Sequence, residues 1–141
     1  MNDTFNLQRF IDAQQSAYST ALKELQSGHK RTHWIWFIFP QLAGLGRSDM
    51  AQRYAISGAA EAQAYLLHPV LGPRLEECVS ALNAHPERSA LQILGSPDDI
   101  KLRSCLTLFA SIVPEHPLFK PTLDRLFEGQ FDEKTLVLLG D

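Results

Sequence analysis

Two short stretches gather side chains able to act on a ligand. In "GLGRSD", Gly44 and Gly46 bracket a leucine and lead into Arg47, Ser48 and Asp49. Glycines let a backbone come close to a bound group, and an arginine offers a planar fork that matches phosphate. The free amides at the start of a helix after Ser48 would attract an anion. Asp49 stands where a carboxylate could serve as a general base or hold a ribose hydroxyl. In "SPDDIKLR", the carboxylates Asp98 and Asp99 are followed by Lys101 and Arg103, which together read as a charged clamp. Just before the glycine loop runs "WIWFIF", holding both tryptophans of the chain, Trp34 and Trp36. Two indole rings beside a glycine turn and an arginine would wall a flat, nucleobase-like ligand, with Gln41 at the edge between wall and loop.

Every one of these residues also has a plain structural reading. A run without a polar face is buried, so the tryptophans are equally core. Gly44 and Gly46 turn the chain, and Arg47 is a solvated surface charge. Asp98 and Asp99 fall in the first turn of a helix, where the dipole favours acids. Lys101 and Arg103 alternate with Ile100 and Leu102, as on a half-solvated face. His33 reads as a hydrogen-bonded structural residue, and His68, His85 and His116 each precede a proline at a turn. No phosphate-binding loop, dinucleotide fingerprint, zinc-protease helix or nucleophile elbow is present, and no His or Cys spacing predicts a metal site. No cofactor is expected.

Composition narrows the classes further. The 141 residues fit one domain with a core of its own. Apolar residues make up 45% and charged residues 21%, with a formal net charge of -3, which argues against disorder and against a basic nucleic-acid surface. "HKRTHW" is the one local basic stretch. Cys78 and Cys105 lie in apolar helical patterns and read as buried free thiols. The N-terminus lacks the basic and apolar regions of a signal peptide, and no apolar run approaches the length of a membrane span. The expected location is the cytoplasm.

The elements that must position these residues are mainly helical. Leu7, Phe10, Ile11, Tyr18, Leu22 and Leu25 form one stripe, with Asn6 as cap and Gly28 as stop. "HWIWFIF" fits a short helix or a strand. Ser48 caps a helix predicted to run to Gly58, "AAEAQAYLLH" follows as another, and Leu71, Leu75, Cys78, Val79 and Leu82 line a third. "SALQILG" is short. Ser96 and Pro97 open the clearest helix, with Leu102, Cys105, Leu106, Phe109 and Ile112 along it. Two more follow, the last capped by Asp132. The expectation is a mainly α, single compact domain (residues 1–141) of about seven short helices, with a small strand pair at the aromatic stretch as the one β feature.

"RTHWIWFIFPQLAGLGRSDMAQRYAI", "YLLHPVLGPRL" and "GSPDDIKLRSCLTLFA" closely resemble, in order, the signature segments of the bacterial family known as domain of unknown function 1810. Some members of that family carry a calpastatin label, but an inhibitor of that kind is repetitive and disordered, and this chain is neither. More distantly, "GRSDMAQRYAI" and "LFASIVPEHPLFKPTLDRLF" are similar to segments of the NADAR (NAD and ADP-ribose associated) superfamily. That similarity implies a helix-opening role for Ser48 and a ligand-side tyrosine at Tyr54. The superfamily's acid two places after the serine is Met50 here, with Asp49 one place away.

The resemblance implies a domain that binds an ADP-ribose- or nucleotide-type small molecule, with N-glycoside or ADP-ribosyl hydrolysis as its chemistry. Asp49 would be the catalytic group. Trp34, Trp36, Gln41, Gly44, Gly46, Arg47, Ser48, Tyr54, Asp98, Lys101 and Arg103 would contact the ligand. The alternative is a non-enzymatic interaction module, or a homodimer, in which the aromatic stretch is core or interface.

Overall fold

The computed structural model describes residues 3–140. Among them the chain forms α1 (Gln8–Ser27), α2 (Ile35–Ile38), α3 (Asp49–Arg53), α4 (Ala59–Leu67), α5 (Leu71–Leu82), α6 (Ala90–Leu94), α7 (Asp98–Ile112), α8 (Phe119–Phe127) and α9 (Glu133–Leu139). The mainly α single domain is as expected. The strand pair is not formed: among the described residues the β feature is one isolated parallel bridge between Leu42 and Ile56.

The core is organised around α7. Leu102, Cys105, Leu106, Leu108 and Phe109 are fully buried, and so is the polar Thr107. The middle of α7, buried on every side from 104 to 110, must satisfy its hydroxyls internally. Ser104 Oγ donates to the Ile100 carbonyl, and Thr107 Oγ1 accepts the Asp132 amide at 2.9 Å. Helices α2, α4, α6, α8 and α9 pack on α7, while α5 packs on α1 and α4. Aromatic rings join the layers, with Tyr65 stacking against both Phe10 and Phe109, and Phe109 against Phe119.

Several boundaries differ from the sequence expectation for local reasons. Asp3, rather than Asn6, caps α1: its carboxylate accepts the Leu7 and Gln8 amides at 2.7 and 2.9 Å. The aromatic stretch closes into the single turn α2. Helix α3 ends at Arg53 instead of running to Gly58, because the next residues bond to the glycine loop. The Ile56 amide donates to Gln41 O and the Ala43 amide to Ile56 O, at 2.8 and 2.7 Å. Ser96 caps nothing, since Pro97 takes the cap position of α7 and no side chain caps it. Asp98 and Asp99 do occupy the first turn.

Arg9 fastens the α3–α4 connection to α1. Its guanidinium donates to the carbonyls of Phe5, Asn6, Arg53 and Ala55 and pairs with buried Glu61 at 2.8 Å. No helix among the described residues is long and apolar enough to cross a membrane.

Candidate functional site

The two tryptophans separate on folding. Trp34 is 1% exposed, and its Nε1–H donates to Glu24 Oε1 at 2.9 Å. The same carboxylate accepts the Arg31 and Thr32 amides and the Thr32 hydroxyl. Burial alone would raise the Glu24 pKa. The bonds from the Arg31 amide, Trp34 and Thr32 outweigh it and hold the pKa at about 2. Trp34 is therefore a wall of the core. Trp36 is half-buried, and its Nε1 is buried without any hydrogen-bond partner.

The acid-base clamp also divides. Asp98 pairs with Lys30 at 2.9 Å and, more loosely, with Lys101 at 3.8 Å. Lys30, 7% exposed, lies over the Trp34 ring, and Lys101 over the Trp36 ring at 5.5 Å. Arg103 points elsewhere. Helical residues two apart leave the axis about 160° apart, whereas residues four apart lie about 40° apart. Arg103 therefore shares a flank of α7 with Asp99 rather than with Lys101. Asp99 Oδ1 and Arg103 Nε are both buried and both unpartnered.

Beside that flank lies a cavity of about 660 Å³, lined by Arg103, Gln130, Phe131, Asp132, Glu133, Lys134 and Leu136. Its size falls in the usual range for small-molecule sites. The chain positions it through Asp132. Its amide is held by Thr107, its Oδ2 accepts from the Thr135 amide and hydroxyl to cap α9, and its Oδ1 lies 3.7 Å from Arg103 Nη2.

The glycine loop stands apart from this cavity's lining. Gly44, at φ +98°, passes so close to α9 that an added Cβ would sit 3.3 Å from Leu138 Cδ1. A Cβ on Gly46 would lie 2.4 Å from that of Ala51. Both glycines thus have close-packing roles. Ser48 Oγ accepts the Ala51 amide and caps α3 as expected. Arg47 and Asp49 are exposed, and neither side chain makes a hydrogen bond or ion pair among the described residues. Gln41 is half-buried, with its carbonyl in the Leu42–Ile56 bridge. Tyr54 packs on Phe10 and Phe37 and lines a separate cavity of about 350 Å³ with Arg9, Asp12 and Arg53.

Of the residues singled out from the sequence, the structure brings Trp36, Asp98 and Lys101 together at one place and sets Arg103 at another. It leaves Arg47 and Asp49 at the surface. Sequence reasoning missed Gln130, Phe131, Asp132 and Lys134, because "QFDEK" reads as a helix cap and the cavity arises only where α9 docks on α7. Asp99 was visible as a first-turn acid and as a member of the charged clamp, but not as a neighbour of this cavity. The described residues hold no group of three His, Cys, Asp or Glu side chains arranged for a metal ion.

The fold has a close counterpart. A crystal structure at 1.38 Å of a conserved hypothetical protein of Mycobacterium tuberculosis, Rv1873, is 47% identical, with a TM-score of 0.96 over 99% of each chain. No curated protein matches this chain. The family model for "Protein of unknown function (DUF1810)" matches residues 4–139, nearly the whole length, and the chain belongs to that family.

Proposed function

We propose that this chain is a small-molecule-binding domain whose ligand is of the nucleotide or ADP-ribose type and occupies the cavity between α7 and α9. The observation that carries this reading is the pair of buried, unpartnered polar atoms on the α7 flank beside that cavity, Asp99 Oδ1 and Arg103 Nε. An unmet buried polar group costs about 1–3 kcal/mol, and native folds tolerate few. Both lie in the first two turns of α7, and Arg103 itself lines the cavity.

The missing partners define a chemistry. Arg103 needs an acceptor, whereas Asp99 needs a donor. Phosphate oxygens and ribose hydroxyls supply both kinds. Phe131 in the cavity lining gives a ring or sugar face an apolar surface. The resemblance to NADAR proteins points the same way. It further suggests cleavage of an N-glycosidic bond with Asp49 as base. Asp49 is exposed, engaged with no other side chain and not among the residues that line the cavity, so the geometry supports binding ahead of cleavage.

Calorimetric titration of the intact protein with ADP-ribose, NAD, AMP and adenosine tests the reading, with chromatography of each ligand after long incubation. Heat of binding from at least one phosphate-bearing ligand is expected. A folded protein that gives no heat with any of them, and consumes none, overturns it. Loss of ligand that disappears in Asp49→Asn would establish the hydrolytic activity.

A further inference from the structure

The Arg103–Asp132 pair is built as an incomplete ion pair. The separation of 3.7 Å is too long for a hydrogen bond. Asp132 is not free to close it, because its Oδ2 is held by the Thr135 amide at 3.1 Å and the Thr135 hydroxyl at 2.5 Å, and its own amide is held by Thr107. Arg103 Nε carries no partner. Arg103 lines the cavity, and paired N–H donors of a guanidinium take an oxyanion through two oxygens at once. Charge in the cavity lining balances as it stands, with Arg103 and Lys134 opposed by Asp132 and Glu133.

We propose, resting on the reading that this cavity holds the ligand, that Arg103 is the seat of the ligand's phosphate and that Asp132 is its built-in competitor. The phosphate takes the donors of Arg103 that Asp132 approaches but does not bond, with Lys134 adding charge. Asp132 thereby sets the affinity: its negative charge weakens anion binding, while its position keeps Arg103 aimed at the cavity. Such a site discriminates a phosphorylated ligand from its neutral counterpart, and a dianionic phosphate from a singly charged carboxylate.

Calorimetry on the full chain with AMP, adenosine, inorganic phosphate and acetate tests this, comparing wild type with Asp132→Asn, Asp132→Ser and Arg103→Gln. Asparagine and serine both retain a helix-capping oxygen, so at least one neutral variant keeps α9 in place, as circular dichroism will verify. Removing one negative charge about 4 Å from the bound anion is worth about fivefold in water and more in a partly buried site. AMP and phosphate should therefore tighten about fivefold or more in the Asp132 variants, with adenosine unchanged. Arg103→Gln should abolish the preference for AMP over adenosine.

If AMP binds wild type but the neutral Asp132 variants bind it no tighter, or Arg103→Gln keeps the preference, the competition is refuted while the site stands. Acetate binding as well as phosphate would refute the phosphate assignment. If no probe binds any folded variant, the site itself is refuted and the inference with it.

Discussion

Glu24 accepts four hydrogen bonds on one buried carboxylate, and two of the donors are backbone amides. The donors outweigh burial and leave its pKa at about 2, below the ordinary 4.5. A lowered carboxylate pKa adds stability that is fully present above about 4.5 and is lost as pH falls toward 2. Acid unfolding of wild type should therefore steepen in that window, whereas Glu24→Gln should be destabilised at pH 7 and lack that part of the acid transition. Denaturant melts at pH 7, 4 and 2.5 read both. The mutation leaves donors short of acceptors and should cost about 2–3 kcal/mol at neutral pH. Trp36 makes the opposite case. Trp36→Phe deletes a donor that the free protein does not use, so stability should change by about 1 kcal/mol or less in either direction. Affinity for AMP should stay the same, since Trp36 is not among the residues that line the cavity. A large loss of AMP affinity in a stable Trp36→Phe protein would extend the site to α2. The sequence could not distinguish the two indoles, because "WIWFIF" has no polar face and the acceptor for Trp34 lies a full helix turn and a loop away at Glu24.

At the scale of elements, what the sequence displayed were local signals. Gly28 closes α1, Ser48 caps α3, and Asp132 caps α9. Each needs only residues a few places apart. The shortening of α3 was hidden, because the bonds that end it come from Gln41 and Ala43 across the glycine loop. The candidate cavity was hidden for the same reason: Arg103 and the Gln130–Lys134 segment meet only through the packing of α9 on α7. Thr107 is the polar joint of that packing. Thr107→Val keeps the shape but removes the acceptor of the Asp132 amide, which should cost about 1–2 kcal/mol. Hydrogen exchange should quicken first in residues 132–139, and AMP affinity should fall with it. Uniform acceleration along the chain would mean that α9 is not a separable docking element. Gly46→Ala tests the loop independently. Its Cβ would meet Ala51 Cβ at 2.4 Å, so it should destabilise the protein by about 1–3 kcal/mol. Affinity for AMP should remain, since the loop is not among the residues that line the cavity.

Across the whole molecule, α5 and α7 each bury one cysteine completely, Cys78 and Cys105, and both are free thiols. Burial pushes the Cys78 thiol up to about 12 and raises that of Cys105 as well, so neither holds a reactive thiolate at neutral pH. Cys78 and Cys105 lie in one buried core cluster with Tyr65 and Phe109, so both sulfurs are expected to open only with the whole core. A thiol reagent should therefore label both cysteines together, at a rate set by the population of globally opened molecules. That ties the chemistry of the core to the occupancy of a cavity at its edge. A ligand bound to the native state alone lowers the opened population by the factor 1 + [L]/Kd, about 100-fold at one hundred times Kd. AMP at that concentration should slow labelling of Cys78 and Cys105 equally and by about that factor. Protection of Cys105 alone would place the ligand's effect in α7 without the rest of the core, and unequal baseline rates would show that α5 opens on its own.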